Sequence, residues 1–321
     1  MIHDFGNILV TGGAGFIGSH LAEELIKENK KVTVIDNLST GNKSNLNFCL
    51  QKENFKFIVE DLRNQNPVFE NIKDIDTIFH LAADPEVRTG FSDPKLAYEQ
   101  NIKNTYQLLE NVRKSNIKQL VFASSSVVYG EPEIIPTPET FGPLLPISIY
   151  GGTKLACEGL ISSYCNNYGI KGTIVRFANV VGSRARHGVI WDFIQKLKTN
   201  EKELNVLGNG KQTKSYIHVN DCVRGLLFSS ENTKKNIDVF NLGNLDMINV
   251  LDIASIVCKT MNLENVNIVT IGGTEDGRGW IGDVKEMNLD ISKISNLGWN
   301  PKENSQEAIE RATLELCSEL I

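Results

Sequence analysis

The sequence lacks the patterns on which disulfide-stapled, metal-built and membrane proteins depend. Its six cysteines (Cys49, Cys157, Cys165, Cys222, Cys258, Cys317) are scattered, and no two form a Cys-x-x-Cys pair. That distribution argues against zinc or a disulfide framework and predicts buried, reduced thiols. No metal site is expected. No apolar run approaches membrane-spanning length. The opening Met1-Ile2-His3-Asp4 leads almost directly into an apolar strand pattern, without the layout of a signal peptide. The expectation is a cytoplasmic chain with no membrane partner. Positive charge is also in short supply: 33 Lys and Arg stand against 39 Asp and Glu, a net charge of −6. That balance argues against nucleic acid as the main partner, though it leaves room for a local basic patch around a phosphate. Repeats, low-complexity tracts and an interdomain linker are absent. What remains is ordinary for a globular protein: 321 residues, 41% hydrophobic and 22% charged. That length supports one large or two moderate domains.

The most informative stretch is Thr11-Gly12-Gly13-Ala14-Gly15-Phe16-Ile17-Gly18. It follows the apolar run Ile8-Leu9-Val10 and opens a helical pattern from Ser19 to Lys27. Strand, glycine turn and helix together make a phosphate cradle. Gly12 allows a tight turn, Gly15 lets a pyrophosphate approach the backbone, and Gly18 lets the helix pack closely on the strand. The helix N-terminus offers free N–H groups and the positive end of its dipole. A second strand, Lys31 to Ile35, ends in Asp36, eighteen residues after Gly18. A carboxylate there accepts both hydroxyls of an adenosine ribose and repels a 2′-phosphate. No arginine stands beside it in the sequence, so the reading is NAD rather than NADP. The bland alternative, an α/β turn that binds nothing, loses ground because strand, spacing and acidic residue coincide.

Strands and helices alternate through the first half. Strands are expected at Lys56–Val59, Thr77–Ala83, Gln119–Ala123 and Thr173–Phe177, with long helices at Pro94–Ser115 and Tyr150–Tyr168. This alternation predicts an α/β fold with a doubly wound parallel sheet. Asp61, just past a strand's carboxyl end, is placed either to accept from an adenine amino group or to cap a helix. Regularity falls after residue 180. The later elements are expected to form a smaller substrate-binding unit from 179–214 and 246–321, against a dinucleotide unit from 1–178 and 215–245.

Tyr150 and Lys154 stand four residues apart at a helix start and share one face. A phenol with a pKa near ~10 is a poor base at neutral pH, and an ammonium one turn away favours its phenolate. Ser125, at the end of the preceding strand, is placed to share a substrate hydroxyl. Two residues at this spacing arise easily by chance. After a glycine cradle, Asp36 and a serine-tipped strand they outline hydride chemistry.

At this point the chain resembles the extended short-chain dehydrogenase/reductases, and among them nucleotide-sugar epimerases of the UDP-glucose 4-epimerase kind, in their archaeal form. The resemblance covers nearly the whole chain. It rests on the glycine stretch, Asp36-Asn37-Leu38-Ser39-Thr40-Gly41, His80-Leu81-Ala82-Ala83, Ser124 to Gly130, Tyr150-Gly151-Gly152-Thr153-Lys154, Arg176 to Val180, and Gly282-Asp283-Val284. It implies an NAD-dependent isomerase with catalytic Ser125, Tyr150 and Lys154. It implies cofactor contacts at Gly12, Gly15, Phe16, Ile17, Gly18, Asp36, Asn37, Ser39, Thr40, Gly41, Asp61, Leu62, Leu81, Ala82, Ala83, Asn101, Ser124, Tyr150, Lys154, Phe177 and Val180. Substrate contacts would fall at Val87, Arg88, Ser125, Ser126, Tyr150, Asn179, His187, Gly188, Val189, Val206, Lys214, Arg278 and Asp283. Arg184, Arg186 and His187 would face the phosphates or sugar, or form a solvated loop. Met287 would border the sugar pocket or sit in the core.

The implied reaction is epimerisation at C4 of a UDP-hexose, with UDP-N-acetylhexosamine or UDP-glucuronate epimerisation, or UDP-glucuronate decarboxylation, as alternatives. An NAD-sensing scaffold is the non-enzymatic rival, disfavoured because Tyr150 and Lys154 are both present. Sugar 4,6-dehydration is disfavoured because Ser126 and Val127 stand where the family's dehydratases carry Asp-Glu. The two long helices would pair with a second copy as a homodimer, or simply pack the core.

Overall fold

The structure, a computed structural model, describes residues 5–64 and 74–320; the opening Met1–Asp4 lies outside them. In chain order the strands are β1 (Ile8–Thr11), β2 (Val32–Asp36), β3 (Phe55–Val59), β4 (Thr77–His80), β5 (Gln119–Ser125), β6 (Lys171–Phe177) and β7 (Asn179–Val181). They continue as β8 (Glu203–Leu207), β9 (Thr213–Lys214), β10 (Tyr216–His218), β11 (Ile237–Leu242), β12 (Ile248–Asn249), β13 (Asn267–Ile271) and β14 (Glu286–Met287).

Seven of these make one sheet in the order β11-β6-β5-β4-β1-β2-β3, and every neighbouring pair is parallel. Short apolar runs without polar alternation form its centre because both faces are covered. Ile8 and Val10 enter one apolar cluster while Leu9, between them, enters the other. Val121 and Leu120 divide the same way on β5. Helices Phe16–Lys27 and Val219–Glu231 bring Leu21, Leu25 and Leu226 to the first face. Helices Asn104–Val112 and Ile149–Tyr168 bring Leu108, Leu109 and Ile161 to the second. The fold is therefore the doubly wound parallel sheet that the sequence predicts. Strand order reverses between β1 and β4, and at such a switch point a crevice opens at the carboxyl ends of the strands.

A third cluster joins Leu204 and Val206 of β8 to helices Val189–Thr199, Val250–Thr260 and Ser305–Ser318. The segment carrying Val284, Met287, Leu289, Ile294 and Trp299 packs into the first cluster instead, although it falls in the stretch expected to build the second unit.

Two elements depart from expectation. The run expected as one helix from Pro94 to Ser115 starts as α-helix at Pro94–Ala97, widens to a π-helix at Tyr98–Lys103, and ends at Val112. β4 stops at His80, so Leu81-Ala82-Ala83 continues past the sheet as part of the crevice wall. Among the described residues, no helix is long and apolar enough to cross a membrane. All six cysteines are free thiols, and five are buried.

Candidate functional site

A cleft of about 660 Å³ runs along the carboxyl ends of the central strands. One end is built by the glycine turn after β1. Gly12 takes φ +70°, and a Cβ there would lie 2.6 Å from the Ala82 amide nitrogen, so only glycine fits. Helix Phe16–Lys27 starts at Gly15 with no side chain capping it, which leaves its first-turn N–H groups for a ligand. The buried Asp36 carboxylate accepts from the Ala14 amide at 2.9 Å and the Leu38 amide at 2.8 Å. Burial pushes its pKa up, and these amides pull it back.

Among the described residues, Asp61 caps no helix. Its carboxylate closes a turn by accepting from the Arg63 amide at 2.9 Å. It also accepts from Asn37 Nδ2 at 3.0 Å and from the Arg63 guanidinium at 2.7 Å, and the arginine holds it well below the usual carboxylate range. Folding thus brings an arginine to the adenosine end that the sequence around Asp36 does not show. Arg63 is already shared between Asp61 and, at 3.2 Å, Glu99, so it is not a free receptor for a 2′-phosphate.

The middle of the cleft holds Tyr150 and Lys154. Ser148 caps their helix by accepting from the Gly151 amide at 3.0 Å, which fixes where the first turn begins. Lys154 is buried and its Nζ donates to the Ala123 carbonyl at 2.8 Å, 5.8 Å from the Tyr150 ring centroid. Burial pulls the ammonium down to about 8, with Cys157 and Glu158 opposing. Ser125 stands beside the Tyr150 hydroxyl and favours its phenolate. Burial dominates the phenol and pushes its pKa well up; Ser125 opposes this and the Asp84 carboxylate adds to it. The Lys154 ammonium is not among the groups that move the phenol, and desolvation sets the direction.

The far end gathers groups from later in the chain. Asn179 starts β7 and donates through Nδ2 to the Ser215 carbonyl at 3.2 Å. Lys214 on β9 pairs with the buried Asp283 at 2.6 Å. The Arg88 guanidinium lies 5.4 Å from the Trp280 ring centroid and pairs with Glu86.

Most of the expected site residues line this one cleft: Gly12, Gly15, Phe16, Ile17, Gly18, Asp36, Asn37, Ser39, Thr40, Asp61, Leu62, Leu81, Ala82 and Ala83 toward one end. Ser124, Ser125, Ser126, Tyr150, Lys154, Phe177 and Val180 line the middle, and Val87, Arg88, Asn179, His187, Gly188, Val189, Lys214, Asp283 and Met287 line the other end. Four do not. Val206 is wholly buried in the third cluster, held there by the pairing of β8 with β13. Asn101 sits behind the wall, accepting from the Asp84 amide at 2.8 Å and donating to Thr153 at 2.8 Å. Gly41 packs on Asp36, where a Cβ would lie 2.9 Å from Oδ1. Arg278 pairs with Glu131 at 2.6 Å and Asp276 at 2.7 Å, and donates to the Asp283 carbonyl at 2.7 Å. Arg184 and Arg186 do reach the cleft wall, but Glu23 and Glu319 hold them at 2.6 and 2.7 Å.

Sequence reading missed Asp84 and Glu86, which also line the cleft. Their position just past His80-Leu81-Ala82-Ala83, beyond a strand's carboxyl end, was the available signal.

The pattern described as the NAD dependent epimerase/dehydratase family matches residues 8–243. A putative UDP-glucose 4-epimerase of Methanocaldococcus jannaschii is 35% identical over 310 residues, covering 95% of this chain and 96% of its own. A crystal structure of a UDP-galactose 4-epimerase superposes with a TM-score of 0.87 at 39% identity, covering 98% of this chain and all of that one. A UDP-glucuronic acid 4-epimerase from Bacillus cereus, solved with UDP-glucuronic acid and NAD, gives 0.88 at 32% identity, again covering 98% and 100%. The glycine turn, the uncapped helix start and Asp36 suit the NAD that this family uses. With the sheet, the cleft and these likenesses together, the chain belongs to the NAD-dependent epimerase/dehydratase family and is a UDP-sugar 4-epimerase-like enzyme.

Proposed function

We propose that the enzyme interconverts the C4 epimers of a UDP-hexose, with UDP-glucose and UDP-galactose as the first pair. The observation that carries this reading is the meeting of Tyr150, Ser125 and Lys154 in one cleft between the glycine turn and the Asn179–Lys214–Asp283 end. When bound, NAD supplies a reversible hydride acceptor beside C4. Tyr150 takes the 4-hydroxyl proton and later returns it. Ser125 holds that hydroxyl in line, and the Lys154 ammonium offsets the phenolate charge and holds ribose hydroxyls. The transient 4-keto sugar turns over while Asn179 and Lys214 keep the diphosphate end in place. Arg278 steadies Asp283 from behind. Ser126 and Val127 offer no carboxylate for dehydration.

The second reading is a UDP-N-acetylhexosamine. It is supported by Met287, a flexible side chain on the cleft wall where a rigid aromatic ring would narrow the pocket. The enzyme is proposed to act as a cytoplasmic homodimer. Free, mostly buried thiols support a reducing location, and apolar side chains left exposed on two helices support pairing.

Proton NMR of purified protein with UDP-galactose, without added NAD, tests the reaction. UDP-glucose growing in to a fixed ratio is the expected result. No product with or without added NAD, while UDP-N-acetylglucosamine or UDP-glucuronate is converted, would move the assignment to that sugar.

A further inference from the structure

A buried ion pair behind the cleft has no part in the mechanism above. Tyr150, Lys154 and Glu158 are spaced four residues apart on helix Ile149–Tyr168, one turn above another. Each engages a successive residue at the tip of β5. Lys154 Nζ donates to the Ala123 carbonyl at 2.8 Å, Ser124 Oγ donates to Glu158 Oε1 at 2.5 Å, and the Tyr150 hydroxyl stands beside Ser125. Glu158 is in turn gripped by Arg176 of β6, whose Nε and NH2 donate to its two oxygens at 3.0 and 2.6 Å. Both side chains are almost fully buried. The guanidinium lies 4.7 Å from the Tyr129 ring centroid, and the Tyr129 hydroxyl donates to Asn241 of β11 at 2.8 Å. Removing two charges from water is costly, and a pair of this kind is weak support for stability compared with apolar side chains of the same size.

We propose that Glu158, clamped by Arg176, is a positioning residue for the reaction: it fixes the serine-tipped end of β5 against the helix, and so sets Ser125 against Tyr150 and keeps Lys154 in place. The proposal rests on the epimerase reading of the same cleft. The groups facing Lys154 are Tyr150, Cys157 and Glu158 on its own helix and His80 from β4. His80 is held neutral by burial, so Glu158 is the carboxylate that supports the lysine's charge.

The test uses the full-length enzyme as the double variant Glu158→Met/Arg176→Met, which removes both charges and leaves no buried ion unpaired. Glu158→Gln alone strands Arg176 and serves as the second variant if it folds. Two readouts are taken: steady-state kinetics with the UDP-sugar, and the pH midpoint of the Lys154 side chain by NMR of ¹³C-lysine-labelled protein, assigned with Lys154→Met. The expected result is a fall in kcat of about tenfold or more with KM within about twofold and NAD content unchanged. The Lys154 midpoint should also drop, and further in Glu158→Gln, which keeps the Arg176 charge, than in the double variant. Wild-type kcat with an unmoved midpoint overturns the proposal. A fall in kcat matched by equal losses of NAD and secondary structure also overturns it and makes the pair merely structural. If the wild-type enzyme converts no UDP-sugar while the midpoint still drops, the epimerase reading fails and the coupling of Glu158 to Lys154 stands.

Discussion

At the scale of single residues, the chemistry turns on a conflict between burial and charge. Desolvation drives Tyr150 toward its neutral form and drives Lys154 toward losing its proton. A phenol held neutral in this way is a weaker acid, and it must lose its proton before it can take one from a substrate. The site therefore needs a bound cation and an aligned substrate hydroxyl before Tyr150 works as a base, which ties proton removal to the loaded cleft. Replacing Tyr150 with Phe keeps the ring and removes only the hydroxyl. Turnover of UDP-galactose should fall by about a thousandfold, within the usual range for loss of a general acid–base group. NAD should stay bound, as read by its release on denaturation. A variant retaining a tenth of wild-type activity would show that another group moves the proton.

At the scale of elements, the glycine turn shows where general propensity and particular packing give opposite answers. Gly18 lies in the first turn of helix Phe16–Lys27, and in an open helix Gly→Ala gains about 1 kcal/mol. Here a Cβ would stand 2.3 Å from the Gly12 carbonyl oxygen and 2.8 Å from Gly13 Cα, both backbone atoms that cannot swing aside. The sign reverses: Gly18→Ala should lose about 1–3 kcal/mol and carry less NAD, by urea unfolding and cofactor content. A variant as stable as wild type with full NAD would mean that the turn relaxes freely.

The same contrast explains what was legible beforehand. The parallel sheet could be read because its strands are short apolar runs between helical patterns. The cofactor end could be read because strand, glycine turn, helix start and Asp36 are local in sequence. Val206, expected from the resemblance as a substrate contact, lies instead in the third cluster, where its side chain is wholly buried among apolar neighbours. Arg278 stands in a loop beside its local partner Asp276, but its other partner, Glu131, reaches it only through a fold-back across the chain. The π-helix at Tyr98–Lys103 left no periodic signature distinct from the helix around it. Arg63 and Glu158 carry no motif; Arg63 reaches the cleft through its near neighbour Asp61, and Glu158 is held by Arg176 of a different element.

At the scale of the whole molecule, the two long helical runs leave more apolar surface than one chain covers. Their inward side chains, Leu108, Leu109, Cys157 and Ile161, already fill the second face of the sheet. Phe91, Tyr98, Tyr106, Ile149 and Tyr168 nevertheless remain exposed on these helices and the short helix before them, by 64, 52, 43, 44 and 50% respectively. The helices are also tied to each other: the Tyr164 hydroxyl donates to Glu110 at 2.7 Å, and Arg113 donates to the same carboxylate at 2.7 Å. A face both apolar and internally braced suits a partner of the same kind, and a two-fold arrangement would set each helix against its copy. Since helix Ile149–Tyr168 also carries Tyr150 and Lys154, pairing would stiffen the element that positions the catalytic groups. Sedimentation equilibrium should give twice the chain mass of 35.7 kDa. Tyr98→Glu with Tyr106→Glu should shift it to a single chain and lower kcat, while NAD content holds because the glycine turn and Asp36 stand on other elements. A single-chain mass for the unmodified protein would refute the pairing and leave these exposed rings as ordinary surface.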